Sequence, residues 1–171
     1  KSANLLFDQY DNPLFLASNI LIQYNASQDR YRFYGKNSSG YGTIEGIYQS
    51  EDFLFQALVE KRDGSRHIGI YDDSIMELLT NIPLHSEDKV TSISFSPNNT
   101  ALGVLCSDSF NSILIYRTMS QPLWNDCYLA HFLSSGELPT NCLVFDSDSS
   151  MAIGGYHHFT KYEIIGESIS E

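Results

Sequence analysis

The chain of 171 residues carries 42% hydrophobic and 18% charged side chains, the balance of a globular domain long enough to bury a core. Its formal net charge is −11, and its 10 Lys and Arg are scattered. That argues against DNA, RNA and anionic membranes as direct partners, which are held by clustered cations that release counterions. No apolar run approaches the roughly 18 residues of a membrane-spanning helix, so insertion into a bilayer is not expected.

Taken in chain order, short apolar runs alternate with polar turns. The first set is 4–7, a turn at 8–12, 14–17, the run 20–24 ending in Tyr24, and a more polar run at 31–34. The second is 43–48, a turn through Glu51 and Asp52, 53–59, 67–71 ending in Tyr71, and 75–79. The third is 90–95, a turn at 96–100, 101–106, 113–116 ending in Tyr116, and 126–132. The fourth is 142–145, a turn at 146–150, 151–155 and 159–162 ending in Tyr162.

The four tyrosines lie 47, 45 and 46 residues apart. Each run has the length of a strand and is bounded by Asn, Asp, Ser, Gly or Pro, the residues that make turns. The 11 Tyr and 10 Phe favour strands as well. No segment has a sustained helical period, and 76–79 is too short to nucleate a helix. The chain is therefore predicted to be all-β, built from four repeats of four antiparallel strands. The fourth repeat lacks its outer strand, because 166–171 reads as a polar tail. The predicted repeat boundaries are 1–36, 37–84, 85–133 and 134–165.

The third repeat resembles the WD40-repeat β-propeller family. It has His85, a Val-x-x-Ile-x-Phe-Ser-Pro strand and turn at 90–97, a small-residue strand at 102–106, Asp108, and the run 113–116. The resemblance covers nearly the whole chain. It implies a blade whose His, Ser or Thr, Asp and Trp form a buried hydrogen-bonded set. His85, Asp108 and Tyr116 match three of those positions, and Cys106 lies near the fourth. The family's Trp-Asp is replaced by Tyr24-Asn25, Tyr71-Asp72, Tyr116-Arg117 and Tyr162-Glu163. Tyr24, Tyr71, Tyr116 and Tyr162 are thus the expected structural residues of the blades. Rings of this family take about six to eight blades, so about four blades imply completion by more of the chain or by a partner chain. The chain opens on Lys1 rather than Met, and the expectation is a piece of something longer.

Catalytic, cofactor and metal signatures are not found. The three cysteines lack C-x-x-C spacing and form neither a disulfide framework nor a zinc signature. His157 and His158 read as a turn, and the segment 40–42 is too short to cradle phosphate. Glu45 is the one charged or histidine residue on the predicted innermost strands, which argues against a channel active site. In an antiparallel blade the first and third turns share an end. Those turns carry Asp8, Asp11, Asp29, Glu51, Asp52, Asp72, Asp73, Asp146 and Asp148. One reading is local turn capping; the other is an electrostatically steered dock for a basic partner segment. Trp124, which with Tyr128 and Phe132 alternates with polar residues along a predicted outer strand, is a second candidate contact for a partner. The expected function is a non-enzymatic protein-interaction scaffold of the cytoplasm or nucleus. The alternatives are an extracellular ligand-binding propeller, favoured by sequons at Asn25, Asn37 and Asn98, and last an enzyme on this fold.

Overall fold

A computed structural model of the chain describes residues 5–17, 20–34, 43–84, 89–119, 123–166 and 168–170. The described residues form sixteen strands: β1 (Leu5–Phe7), β2 (Pro13–Ala17), β3 (Ile20–Asn25), β4 (Arg30–Tyr34), β5 (Thr43–Gln49), β6 (Phe55–Arg62), β7 (Ser65–Asp72), β8 (Glu77–Leu84), β9 (Val90–Phe95), β10 (Ala101–Cys106), β11 (Ser112–Thr118), β12 (Cys127–Ser134), β13 (Thr140–Ser147), β14 (Ser150–Gly155), β15 (His158–Ile165) and β16 (Ser168–Ser170). They make four antiparallel meanders of four strands, each in simple sequence order. The chain divides into two compact units, Ser2–Glu87 and Asp88–Glu171.

In the first unit, the sheets β1–β4 and β5–β8 share a core of Leu14, Leu21, Ile44, Ile47, Leu58 and Met76. Tyr34 and Tyr71 pack against it. β6 is buried from Phe55 to Glu60, as expected of a strand covered on both faces. Its charged end is neutralised locally: Arg62 pairs with Glu60, and Arg66 Nε meets Glu45 at 2.6 Å.

In the second unit, β10, β11, β13, β14 and β15 supply a core that includes Leu105, Ile113, Ile115, Phe145, Met151, Tyr162 and Ile164. Serines on β9 tie the two sheets together. Ser92 Oγ donates to the Leu143 carbonyl at 3.3 Å, and Ser94 Oγ accepts from the Phe145 amide at 3.2 Å. Gly103 marks the close approach, since a Cβ there would lie 2.7 Å from Leu143 Cδ2 and 3.1 Å from Phe145 Cε2. Gly103→Val is therefore expected to destabilise this unit by about 1–3 kcal/mol through overpacking. The check is the urea midpoint followed by Trp124 fluorescence, and an unchanged midpoint would show that the sheets are not packed this closely.

Three strand assignments change. Residues 53 and 54 belong to a turn rather than to β6. Ser50 Oγ accepts from the amides of Leu54 and Phe55, and Phe53 takes a left-handed φ of 60°. The same turn recurs at 96–100, where Ser96 Oγ accepts from Ala101 and Asn99 has φ 58°. Residues 75 and 76 are also turn, with Met76 at φ 54°, so β8 starts later than predicted.

The last correction concerns 166–171, predicted as a polar tail. Gly166 turns the chain at φ 61°, and β16 pairs with β15 through Glu163↔Ser170, Ile164↔Ile169 and Ile165↔Ser168. Ile169 packs against the core. The fourth sheet thus has its outer strand, supplied by its own chain.

Candidate functional site

The acidic turns of the first unit gather at one end of its two sheets. They hold Asp8, Asp11, Asp29, Glu51, Asp52, Asp72 and Asp73, with Arg30 and Arg32 on β4 as the nearby cations. Several of these carboxylates cap turns. Asp8 Oδ1 accepts from the Tyr10 and Asn12 amides at 2.8 and 2.9 Å. Its Oδ2 accepts from the side chains of Asn12 at 3.0 Å and Gln23 at 2.6 Å. Burial pushes the Asp8 carboxyl up, but these hydrogen bonds outweigh it and leave it below its ordinary value. Asp52 Oδ1 accepts from Ser50 Oγ and the Leu54 amide, Asp72 Oδ1 from the Ser74 and Ile75 amides, and Asp29 from the Tyr24 hydroxyl at 2.9 Å. Glu51, Asp11, Asp29 and Asp52 remain exposed.

Asp73 differs from all of them. It is 3% exposed, and both of its side-chain donors are neutral amides. Gln49 Nε2 donates to Oδ1 at 3.3 Å, and Gln56 Nε2 donates to the same oxygen. Among the described residues, Oδ2 is buried with no hydrogen-bond partner, as is Gln56 Oε1. Burial raises the Asp73 carboxyl to about 6, the two glutamines draw it back, and the charges of Asp8 and Asp72 push it further up. Asp73 lines a cavity of about 200 Å³ together with Asp8, Tyr10, Asn12, Gln23 and Arg32.

In the second unit the two acids of the set, Asp146 and Asp148, are already engaged. Asp146 Oδ2 pairs with Lys161 Nζ at 2.8 Å, and this hydrogen bond holds the carboxyl down. Asp148 Oδ1 accepts from the Asn98 amide at 2.9 Å.

Trp124 is not a surface residue. It precedes β12 in a turn, with φ 66°, and is 0% exposed. Its ring meets Phe95 edge-on, with centroids 5.9 Å apart, and its amide donates to Thr118 Oγ1 at 3.0 Å. Only Tyr128 and Phe132 of the proposed aromatic row stand exposed on β12. Trp124 therefore presents no surface to a partner, contrary to the sequence expectation.

The four repeat tyrosines divide. Tyr116 and Tyr162 are buried, and burial pushes the Tyr116 phenol up to about 12. Tyr71 is half-buried and donates to Glu60 Oε1 at 3.2 Å. Tyr24 lies against Tyr31, with ring centroids 4.8 Å apart, and its hydroxyl reaches only the turn acid Asp29. Asp108 caps its own turn, accepting from the Phe110 and Ser112 amides at 3.0 and 2.8 Å. His85 lies outside the described residues. Among the described residues no group of three or more His, Cys, Asp or Glu is placed to hold a metal ion, and no helix is long and apolar enough to cross a membrane. His158 Nε2 sits 2.9 Å from Thr140 Oγ1.

The chain is similar to solved structures at low identity. A chain of the mitotic checkpoint complex is 16% identical with TM-score 0.67, covering 98% of this chain and 48% of that one. The Myceliophteria thermophila Cps50 (Swd1) β-propeller domain is 10% identical with TM-score 0.70, covering 96% and 51%. A chain of Kuenenia stuttgartiensis hydrazine synthase is 13% identical with TM-score 0.69, covering 94% and 52%. The four sheets are β-propeller blades. At these identities the likeness carries the fold alone, and this chain spans about half the length of each match. No protein-family model and no curated protein matches the sequence. In blade terms, the acidic end of the first unit is the side of its two blades that carries the first and third turns.

Proposed function

We propose that the chain is a segment of a divergent WD40-like propeller that acts as a non-enzymatic scaffold, docking a basic segment of a partner protein on the acidic end of the 2–87 unit. The carrying observation is the unbalanced charge there: seven carboxylates face two arginines, and four of the seven are exposed. Such a field raises the encounter rate of a cationic partner and sets its orientation. The mitotic checkpoint complex, one of the solved likenesses, is a protein assembly. Hydrazine synthase, another, is an enzyme by name, so the fold does not choose between the classes; the charge distribution favours the scaffold. Completion of the ring by further blades, from this chain or a partner, fits the half-length coverage. A cytoplasmic or nuclear location fits the three free thiols, Cys106, Cys127 and Cys142.

The test is binding of a short Lys-rich peptide, with its Glu-rich counterpart as control, measured by interferometry over a salt series. Only the Lys-rich peptide is expected to bind, more weakly as salt rises. Changing Asp11, Asp29, Glu51 and Asp52 together to their amides should weaken it about tenfold or more. Equal binding of the two peptides would overturn the reading.

A further inference from the structure

We propose that the cavity between β11, β12 and the β15–β16 turn binds a carboxylate on a short apolar stem, with Arg117 as its counter-charge. The site lies in the 88–171 unit and is independent of the acidic-end reading. Arg117, Tyr128, Ala130, His131 and Gly166 line the cavity, and no carboxylate is among the described residues that do so. The register of β11 and β12 assembles it. Arg117 pairs with Tyr128 and Ile115 with His131, and the ladder shifts between Ile115 and Tyr116, leaving Ala130 as the extra residue of β12. Arg117 and Ile115 lie on one side of β11. Tyr128 and His131, three apart, would fall on opposite faces of a regular strand, so the bulge is what brings both to the side of Arg117. Ile115 is fully buried in the core. Arg117 stands two residues on, half-buried where that core ends.

A guanidinium stays charged in proteins, and half-burying a cation without a counter-ion is costly. The chain has 21 Asp and Glu, yet among the described residues none pairs with Arg117. Its Nε is buried and out of a ligand's reach. The Nη groups are neither buried orphans nor hydrogen-bonded among the described residues, so they are the part of the head open to solvent. They present the fork that a carboxylate accepts. Tyr128, 49% exposed, adds a hydroxyl donor. Its ring and the Ala130 methyl give an apolar wall for a stem. At about 470 Å³ the cavity falls in the range of roughly 300–1,000 Å³ typical of small-molecule sites. One permanent cation and one neutral donor balance a single negative charge. A phosphate monoester carries about −1.5 to −2 at pH 7, and in a chain of net charge −11 that surplus is unmatched. The charge balance therefore selects carboxylate over phosphate.

The experiment titrates the 171-residue chain with butyrate, its neutral isostere butyramide, Nα-acetyl-glutamate methylamide and methyl phosphate at constant ionic strength, followed by amide NMR shifts. Butyrate is expected to move the amides of Arg117, Tyr128, His131 and Gly166, and butyramide none of them. The glutamate probe separates the sources. Shifts with both carboxylates assign the site to an acidic side chain of a protein partner, and shifts with butyrate alone assign it to a small free acid. Arg117→Gln should weaken butyrate binding at least about tenfold, and Tyr128→Phe about two- to fivefold. Arg117→Lys, which keeps the charge but loses the fork, should retain part of the binding. The assignment is overturned by no shift with butyrate, by butyramide moving the same amides, by methyl phosphate binding more tightly than butyrate, or by Arg117→Gln binding as the wild type does. The butyrate–butyramide comparison needs no variant, so it decides the matter even where a substitution disturbs folding.

Discussion

Trp124→Ala is expected to destabilise the 88–171 unit by about 3–5 kcal/mol, the range for deleting a large buried aromatic. The residue is fully buried, edge-on to Phe95, and held by a hydrogen bond from its amide to Thr118 Oγ1. It therefore fastens the loop between β11 and β12 onto the end of β9. Because Nε1 is buried without a partner among the described residues, Trp124→Phe keeps ring packing while removing a buried orphan donor, and its loss should stay below about 2 kcal/mol. Hydrogen exchange of the β10 amides Leu102 and Val104 reports this unit directly. In the wild type, the single tryptophan should emit at short wavelength and resist quenching by iodide. An exposed emission spectrum, or a loss below about 1 kcal/mol for alanine, would return Trp124 to the surface.

The strands and turns were legible because each is announced locally. Apolar runs end in Asn, Asp, Ser, Gly or Pro, and the spacing of Tyr24, Tyr71, Tyr116 and Tyr162 exposed the repeat. What failed depended on tertiary facts. Trp124, Tyr128 and Phe132 look like one face of a strand, but β12 begins only at Cys127, and Trp124 turns inward from a left-handed position. β16 is three residues with weak propensity of its own; its existence comes from the ladder offered by β15. The four tyrosines match in sequence yet differ in burial, since burial depends on what covers each sheet. Phe53 and Met76 at positive φ could not be foreseen, because bulky residues rarely take that conformation.

The acidic set was legible as a set but not in its parts. Turn capping accounts for Asp8, Asp52 and Asp72, and an ion pair accounts for Asp146. Asp73 stands beside Asp72 in sequence yet is buried, and nothing in the pair distinguishes them. A signal did exist in Gln49 and Gln56, which face each other across β5 and β6. Two opposed amides beside the apolar stretches of these strands announce a buried polar partner, since their hydrogen-bonding groups must be satisfied.

Asp73 also predicts how stability varies with pH. Its folded carboxyl lies near 6 against 3.8 unfolded, so the folded state holds the proton more tightly. The stability linked to this group is therefore fully present below about 3.8 and is lost as pH rises through about 6. The difference corresponds to about 3 kcal/mol at pH 7, to order of magnitude. The geometry supplies a structural reason. Asp73 Oδ2 and Gln56 Oε1 are both buried without partners, while Gln56 Nε2 already donates to Asp73 Oδ1. A proton on Oδ2 turns one of these two buried acceptors into a donor, whereas ionisation leaves both as acceptors. Asp73→Asn removes the titration, so its stability relative to wild type should climb between pH 4 and 7 by about 3 kcal/mol. Exchange of the β6 and β7 amides Leu58 and Ile68 measures this in the correct unit, and the carbon shift of the Asp73 carboxyl gives its midpoint directly. A midpoint near 4 with a flat stability difference would refute the assignment.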